Sequence, residues 1–204
     1  MHFVLSAASA AELAAGAYSF SDELGGFRLI SASGVGTPAD PIVLVEEIEE
    51  AAPITLVIRR RPPPRTTSGY ESYASLTLIK IVINRSIRVW GGFEVELQET
   101  LRKPSVYGDG LSFKQFSSLP PDASSDAFAD NNRQFEPYDR IRFENGSVDP
   151  DATARFKVTI TDPTPVPEFY LVQDPQLLSA GLPDSRDFAL RLDPARLDPA
   201  TLDP

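Results

Sequence analysis

The sequence predicts an all-β fold, an antiparallel β-sandwich, and three observations carry that prediction. Runs of β-branched and aliphatic residues recur along the chain, each bounded by Gly, Pro, Asn or Asp. Several of these runs alternate between apolar and polar residues, the two-residue period of a half-buried strand. Only the Ala-rich beginning of the chain has helix-forming composition.

Taken in order, Ser6 to Ala15 reads as a short helix ended by Gly16, so residues 1–17 are expected to form an N-terminal helical segment. The sandwich itself is expected over residues 18–173. Its first strand falls near 27–31, after the Gly25-Gly26 turn, and SGVGTPADP (33–41) is a loop. Strands near 42–48 and 54–60 follow, read as a hairpin joined by Glu49 to Pro53. The basic, proline-rich RRRPPPR (59–65) is stiff and extended, a spacer between sheets or a ligand for a proline-binding groove.

The longest strand pair is expected at 73–83 and 86–98. In the first, Leu76, Leu78 and Val82 share one face and Thr77, Ile79, Ile81 and Ile83 the other, and Lys80 interrupts the apolar run. In the second, Ile87, Val89, Gly91, Phe93, Val95 and Leu97 face one side. Arg88, Trp90, Gly92, Glu94, Glu96 and Gln98 face the other. A two-residue turn at Asn84-Arg85 would set Val82 opposite Ile87 and Leu76 opposite Phe93; a longer arch is the alternative. Gly91-Gly92 marks a bulge or a place where Trp90 covers bare backbone.

Further strands are expected near 111–116, 139–144, 153–161 and 168–172, with Asn145-Gly146 as a hairpin signal and a polar stretch at 120–133. In TARFKVTIT (153–161), Ala154, Phe156, Val158 and Ile160 point inward. From residue 174 the periodicity fades into LDPAR-LDPAT-LDP. Recurrent proline forbids a regular helix there, so 174–204 is expected to be a disordered tail or a tag that docks on a partner.

Composition narrows the chemistry. A formal net charge of −10 disfavours nucleic acid and anionic membrane as partners. The chain has no Cys, which removes thiol chemistry and thiolate metal sites, and a single His, His2, so a Ser-His-Asp triad has no base. No run approaches the ~20 apolar residues that span a bilayer. The start of the chain lacks the basic residues of a secretory leader, and localisation stays open between extracellular and cytoplasmic.

Three constellations are candidate sites. Arg88, Trp90, Glu94 and Glu96 on one strand face could bind a sugar, the indole stacking on its apolar face and the carboxylates accepting hydroxyl hydrogen bonds. Glu94 and Glu96, about 7 Å apart along a strand, could even serve as acid and base in glycoside hydrolysis. Glu144, Asn145, Asp149 and Asp151 could hold calcium, or could simply bond their own backbone in a turn. Glu46, Glu47, Glu49 and Glu50 read either as a cation site or as charges protecting a sheet edge. Asn84-Arg85-Ser86 and Asn145-Gly146-Ser147 have the form of glycosylation sequons and are better explained as turns.

Asn84-Arg85-Ser86, Trp90 and Gly92-Phe93-Glu94-Val95-Glu96-Leu97 together resemble the strand pair of immunoglobulin-like β-sandwich domains of exported bacterial proteins. Tyr107-Gly108-Asp109-Gly110-Leu111-Ser112-Phe113 and the stretch from Gly146 to Phe156 are similar to later segments of those domains, in the same order. Asp151 stands where they usually have Gly. The resemblance covers roughly residues 70–175; it implies an immunoglobulin-like sandwich, with a jelly-roll-like one as the other arrangement, and an extracytoplasmic setting. It carries over no catalytic residue.

The function these readings favour is a non-enzymatic structural or protein-binding module of a bacterial surface or extracellular assembly, with a protein partner or self-association. The alternatives are a carbohydrate-binding domain using Trp90 and, behind it, a carboxylate glycosidase. No cofactor is expected beyond the calcium just described.

Overall fold

The computed structural model describes residues 10–62, 74–106, 108–114, 123–133, 135 and 137–178. Within them thirteen strands form two sheets packed as a β-sandwich: β1 (Glu12–Ala15), β2 (Tyr18–Ser21), β3 (Phe27–Ser33), β4 (Ile42–Ile48), β5 (Ile54–Arg60), β6 (Ala74–Asn84), β7 (Trp90–Gln98), β8 (Ser112–Phe113), β9 (Ala123–Ser125), β10 (Phe128–Asn132), β11 (Arg140–Gly146), β12 (Thr153–Asp162) and β13 (Glu168–Leu177). The first sheet has the order β1-β2-β5-β13-β7-β11-β10. The second has the order β3-β4-β6-β12-β8, with β9 also pairing β12.

The expected strands at 42–48 and 54–60 coincide with β4 and β5, and most of the others agree within a few residues. The partners do not. β6 lies in the second sheet, antiparallel to β12 and parallel to β4, whereas β7 lies in the first, between β13 and β11. The proposed β6–β7 hairpin is therefore an arch that carries the chain from one sheet to the other. The β4–β5 hairpin is corrected in the same way, since those strands also belong to opposite sheets. Asn145-Gly146 is likewise no hairpin turn. Both residues are the last of β11, which pairs with β10, and the chain crosses to β12 afterwards.

Two expectations about the ends are revised. Glu12–Ala15, read as helix, is a strand paired with β2, and no helix occurs among the described residues. Ala suits a helix intrinsically, but pairing against Tyr18–Ser21 overrides so weak a preference. Asp174–Leu177, assigned to the tail, extends β13 along β7. Residues 1–9 and 179–204, and residues 63–73 of and after the proline-rich segment, lie outside the described residues.

The core between the sheets follows the alternation. Leu76, Leu78 and Val82 of β6 and Ala154, Phe156, Val158 and Ile160 of β12 all point into it. They meet Phe93, Val95 and Leu97 of β7 and Ile141 and Phe143 of β11. Phe156 stands at its centre, 4.4 Å from the Phe93 ring centroid and 5.0 Å from that of Phe143. Burial of the leucine, isoleucine, valine and phenylalanine side chains among these contributes about 1.5–3 kcal/mol each, the driving force that holds the sheets together.

Candidate functional site

Trp90 opens β7, and its place is fixed by one extra residue. Gln176 of β13 faces Gly92 while Leu177 faces Trp90, so Gly91 has no residue opposite it. That is the bulge expected at Gly91-Gly92. It advances the alternation by one, so that Trp90 and Phe93 both turn into the core, with ring centroids 5.8 Å apart. A Cβ on Gly91 would lie 3.1 Å from Leu178 Cα, so the neighbouring backbone would have to give way to any larger residue.

Trp90 is 0% exposed. Its Nε1–H donates to Ser86 Oγ at 3.2 Å, and Ser86 Oγ donates to Asn84 Oδ1 at 2.6 Å. Asn84, also fully buried, donates through Nδ2 to the carbonyls of Arg88 at 2.8 Å and Val148 at 3.0 Å. The Asn84-Arg85-Ser86 and Trp90 elements are thus one hydrogen-bonded staple inside the β6–β7 arch. A buried amide and indole need such partners, because each unpaired group would cost about 1–3 kcal/mol.

The four residues proposed for sugar recognition are therefore not together. Arg88 is exposed in the arch and Trp90 is in the core, while Glu94 and Glu96 stand on the outer face of the first sheet. Platform and carboxylates were assigned to one face by strict alternation, and the bulge separates them. Both glutamates are engaged across the sheet. Glu94 faces Arg142, whose Nε donates to its Oε2 at 2.9 Å, and also pairs with Arg140 at 3.2 Å. Glu96 faces Arg140, accepts from its Nε at 3.1 Å, and takes a further hydrogen bond from Gln98 at 2.8 Å. Phe135 lies under both guanidinium groups, 5.2 Å from that of Arg142 and 5.7 Å from that of Arg140. On the other side Asp174 faces Glu94, and burial, reinforced by the Glu94 charge, raises its carboxyl above the ordinary range.

The proposed calcium ligands also go separate ways. Glu144 lies 3.9 Å from Arg142, Asp149 belongs to the crossing into β12, and Asp151 accepts from Arg85 at 2.8 Å. Asp151 has φ 61°, the left-handed conformation for which the resembling domains use Gly and which a short polar side chain tolerates. Among the described residues no three acidic or histidine side chains converge as a metal site.

The acidic group around β4 divides by strand parity. Glu47 points outward, and hydrogen bonds from Arg28 and Arg85 hold its carboxyl below the usual carboxylate value. Glu49 and Glu50 are exposed. Glu46 points inward with 0% exposure and pairs with Lys80 Nζ at 2.5 Å, Lys80 being 1% exposed. Its other oxygen accepts from Gln173 Nε2 of β13 at 3.3 Å. Sequence reasoning missed this trio. The available signal was that Lys80 has the parity of Leu78 and Val82, and Glu46 that of Leu44 and Ile48.

No family model, curated protein or solved structure matches the chain.

Proposed function

We propose that the chain is a non-enzymatic structural or protein-binding β-sandwich module, acting in a bacterial surface or extracellular assembly. The observation that carries this reading is the use made of its polar side chains. Glu94 and Glu96, the pair with the spacing for acid–base work, are tied to Arg140 and Arg142 in a cross-strand ladder. Trp90, the one tryptophan, is committed to the core. Carboxylates paired across neighbouring strands in this way give strand register, which is structural work. The extracellular setting rests on the sequence resemblance of roughly residues 70–175 to immunoglobulin-like domains of exported bacterial proteins.

The test is native capture from the extracellular and surface fractions of the source, combined with light scattering of the purified chain over a wide concentration range. A retained partner or a defined oligomer is expected. A chain that stays monomeric throughout and retains nothing contradicts the proposal.

A further inference from the structure

Lys80, Glu46 and Gln173 bring an amine, a carboxyl and a primary amide together between the two sheets, with exposures of 1%, 0% and 0%. Lys80 stands on β6 and Glu46 on the parallel neighbour β4, while Gln173 reaches across from β13 of the opposite sheet. One carboxyl bridges the other two groups, Oε1 to Lys80 Nζ at 2.5 Å and Oε2 to Gln173 Nε2 at 3.3 Å. The amide's own oxygen, Gln173 Oε1, is the one buried side-chain polar atom among the described residues without a hydrogen-bond partner.

Such a cluster is a poor way to gain stability. A buried ion pair commonly contributes no more than apolar residues of the same volume, and an orphaned carbonyl adds a further cost. It is a good way to arrange a reaction. Burial drives the Lys80 ammonium toward its neutral amine, the nucleophilic form, and Glu46 is placed to take up the proton. Buried between two sheets and bonded to the two oxygens of one carboxyl, amine and amide are kept at high effective concentration, and their burial limits competition from bulk solvent for the carbonyl.

We propose that Lys80 and Gln173 form an intramolecular amide cross-link between the sheets, with Glu46 as the proton shuttle. The Nζ lone pair attacks Cδ of Gln173, and the carbonyl π electrons move onto Oε1. Nζ gives one proton to Glu46, which passes a proton to Nε2. The tetrahedral centre then collapses, re-forming the carbonyl, breaking the Cδ–Nε2 bond and releasing ammonia. Amine and primary amide become secondary amide and ammonia, Glu46 is regenerated, and no oxidant or reductant takes part. The reaction is independent of any partner and does not rest on the functional reading above.

The test is the intact mass of the purified full-length protein under denaturing conditions, followed by peptide mapping. The expected mass is that of the sequence less one ammonia, with a branched peptide joining the segments that carry Lys80 and Gln173. Lys80→Met and Glu46→Gln should each restore the full mass, and the variants should melt at lower temperature than the parent. The parent's peptide map decides the matter even if both variants fail to fold. An unmodified parent mass overturns the proposal. So does an ammonia loss that persists in Lys80→Met, or a loss of water mapping to Lys80 and Glu46.

Discussion

Asp139 lies just before β11 with 5% exposure, and its carboxyl is pushed up to about 6, chiefly by burial and further by Asp109. A hydrogen bond from Ser112 Oγ at 3.2 Å opposes that shift only in part. The raised value sets the direction of a pH effect. Below about pH 4 the carboxyl is protonated in both the folded and unfolded chains and costs nothing. Between about pH 4 and 6 the unfolded chain ionises while the folded chain keeps its proton, so stability falls over that window, and above 6 the folded state holds a buried anion and the loss is complete. Asp139→Asn keeps an oxygen for Ser112 and removes that charge. It is expected to raise stability by on the order of 2 kcal/mol at pH 8 and to lose the advantage at pH 4. Urea unfolding at the two pH values measures it; an equal effect at both would refute the assignment. At the same scale, Trp90 was legible as a special position, because Gly91-Gly92 marks a bulge in the sequence. Its direction was not, since alternation is counted without knowing which residue is the extra one.

The elements themselves were largely legible and their pairing was not. A strand announces itself by local composition, so β4, β5, β6 and β12 were found within a residue or two. A connection between sheets and a hairpin within one sheet use the same turn residues, and nothing local separates them. Asn145-Gly146 reads as a hairpin turn and Asn84-Arg85 as a hairpin turn or a longer arch, and each stands beside an arch, at the end of β11 and of β6. The sandwich is assembled mainly from such arches, which is why neighbours in sequence so often lie in opposite sheets. The arch after β6 is held by its own side chains, so it can be tested separately. Ser86→Ala removes the acceptor for the Trp90 indole and one donor to Asn84. The expected cost is about 1–3 kcal/mol with the fold retained, seen as an earlier urea midpoint with an unchanged slope. A neutral substitution would show that the staple does not bear on stability.

For the whole molecule, the two-sheet sandwich follows from the number of short amphipathic runs, and the sequence carries that much. The inward parity of Lys80 and Glu46 was legible, but their convergence with Gln173 was not, because it depends on which strands face one another across the core. The candidate sugar site was placed on one face for a different reason, because strict alternation takes no account of the extra residue at Gly91. Four residues read as one face are divided among an arch, the core and an ion-pair ladder. The account as a whole holds that the side chains suited to chemistry are committed to structure, and Trp90 tests this most directly. As the sole tryptophan it reports on its own surroundings. Its emission is expected to be blue-shifted, resistant to iodide and unchanged by calcium or by any member of a glycan panel. Red-shifted, readily quenched emission that moves on addition of one glycan would contradict the account and return Trp90 to the protein surface.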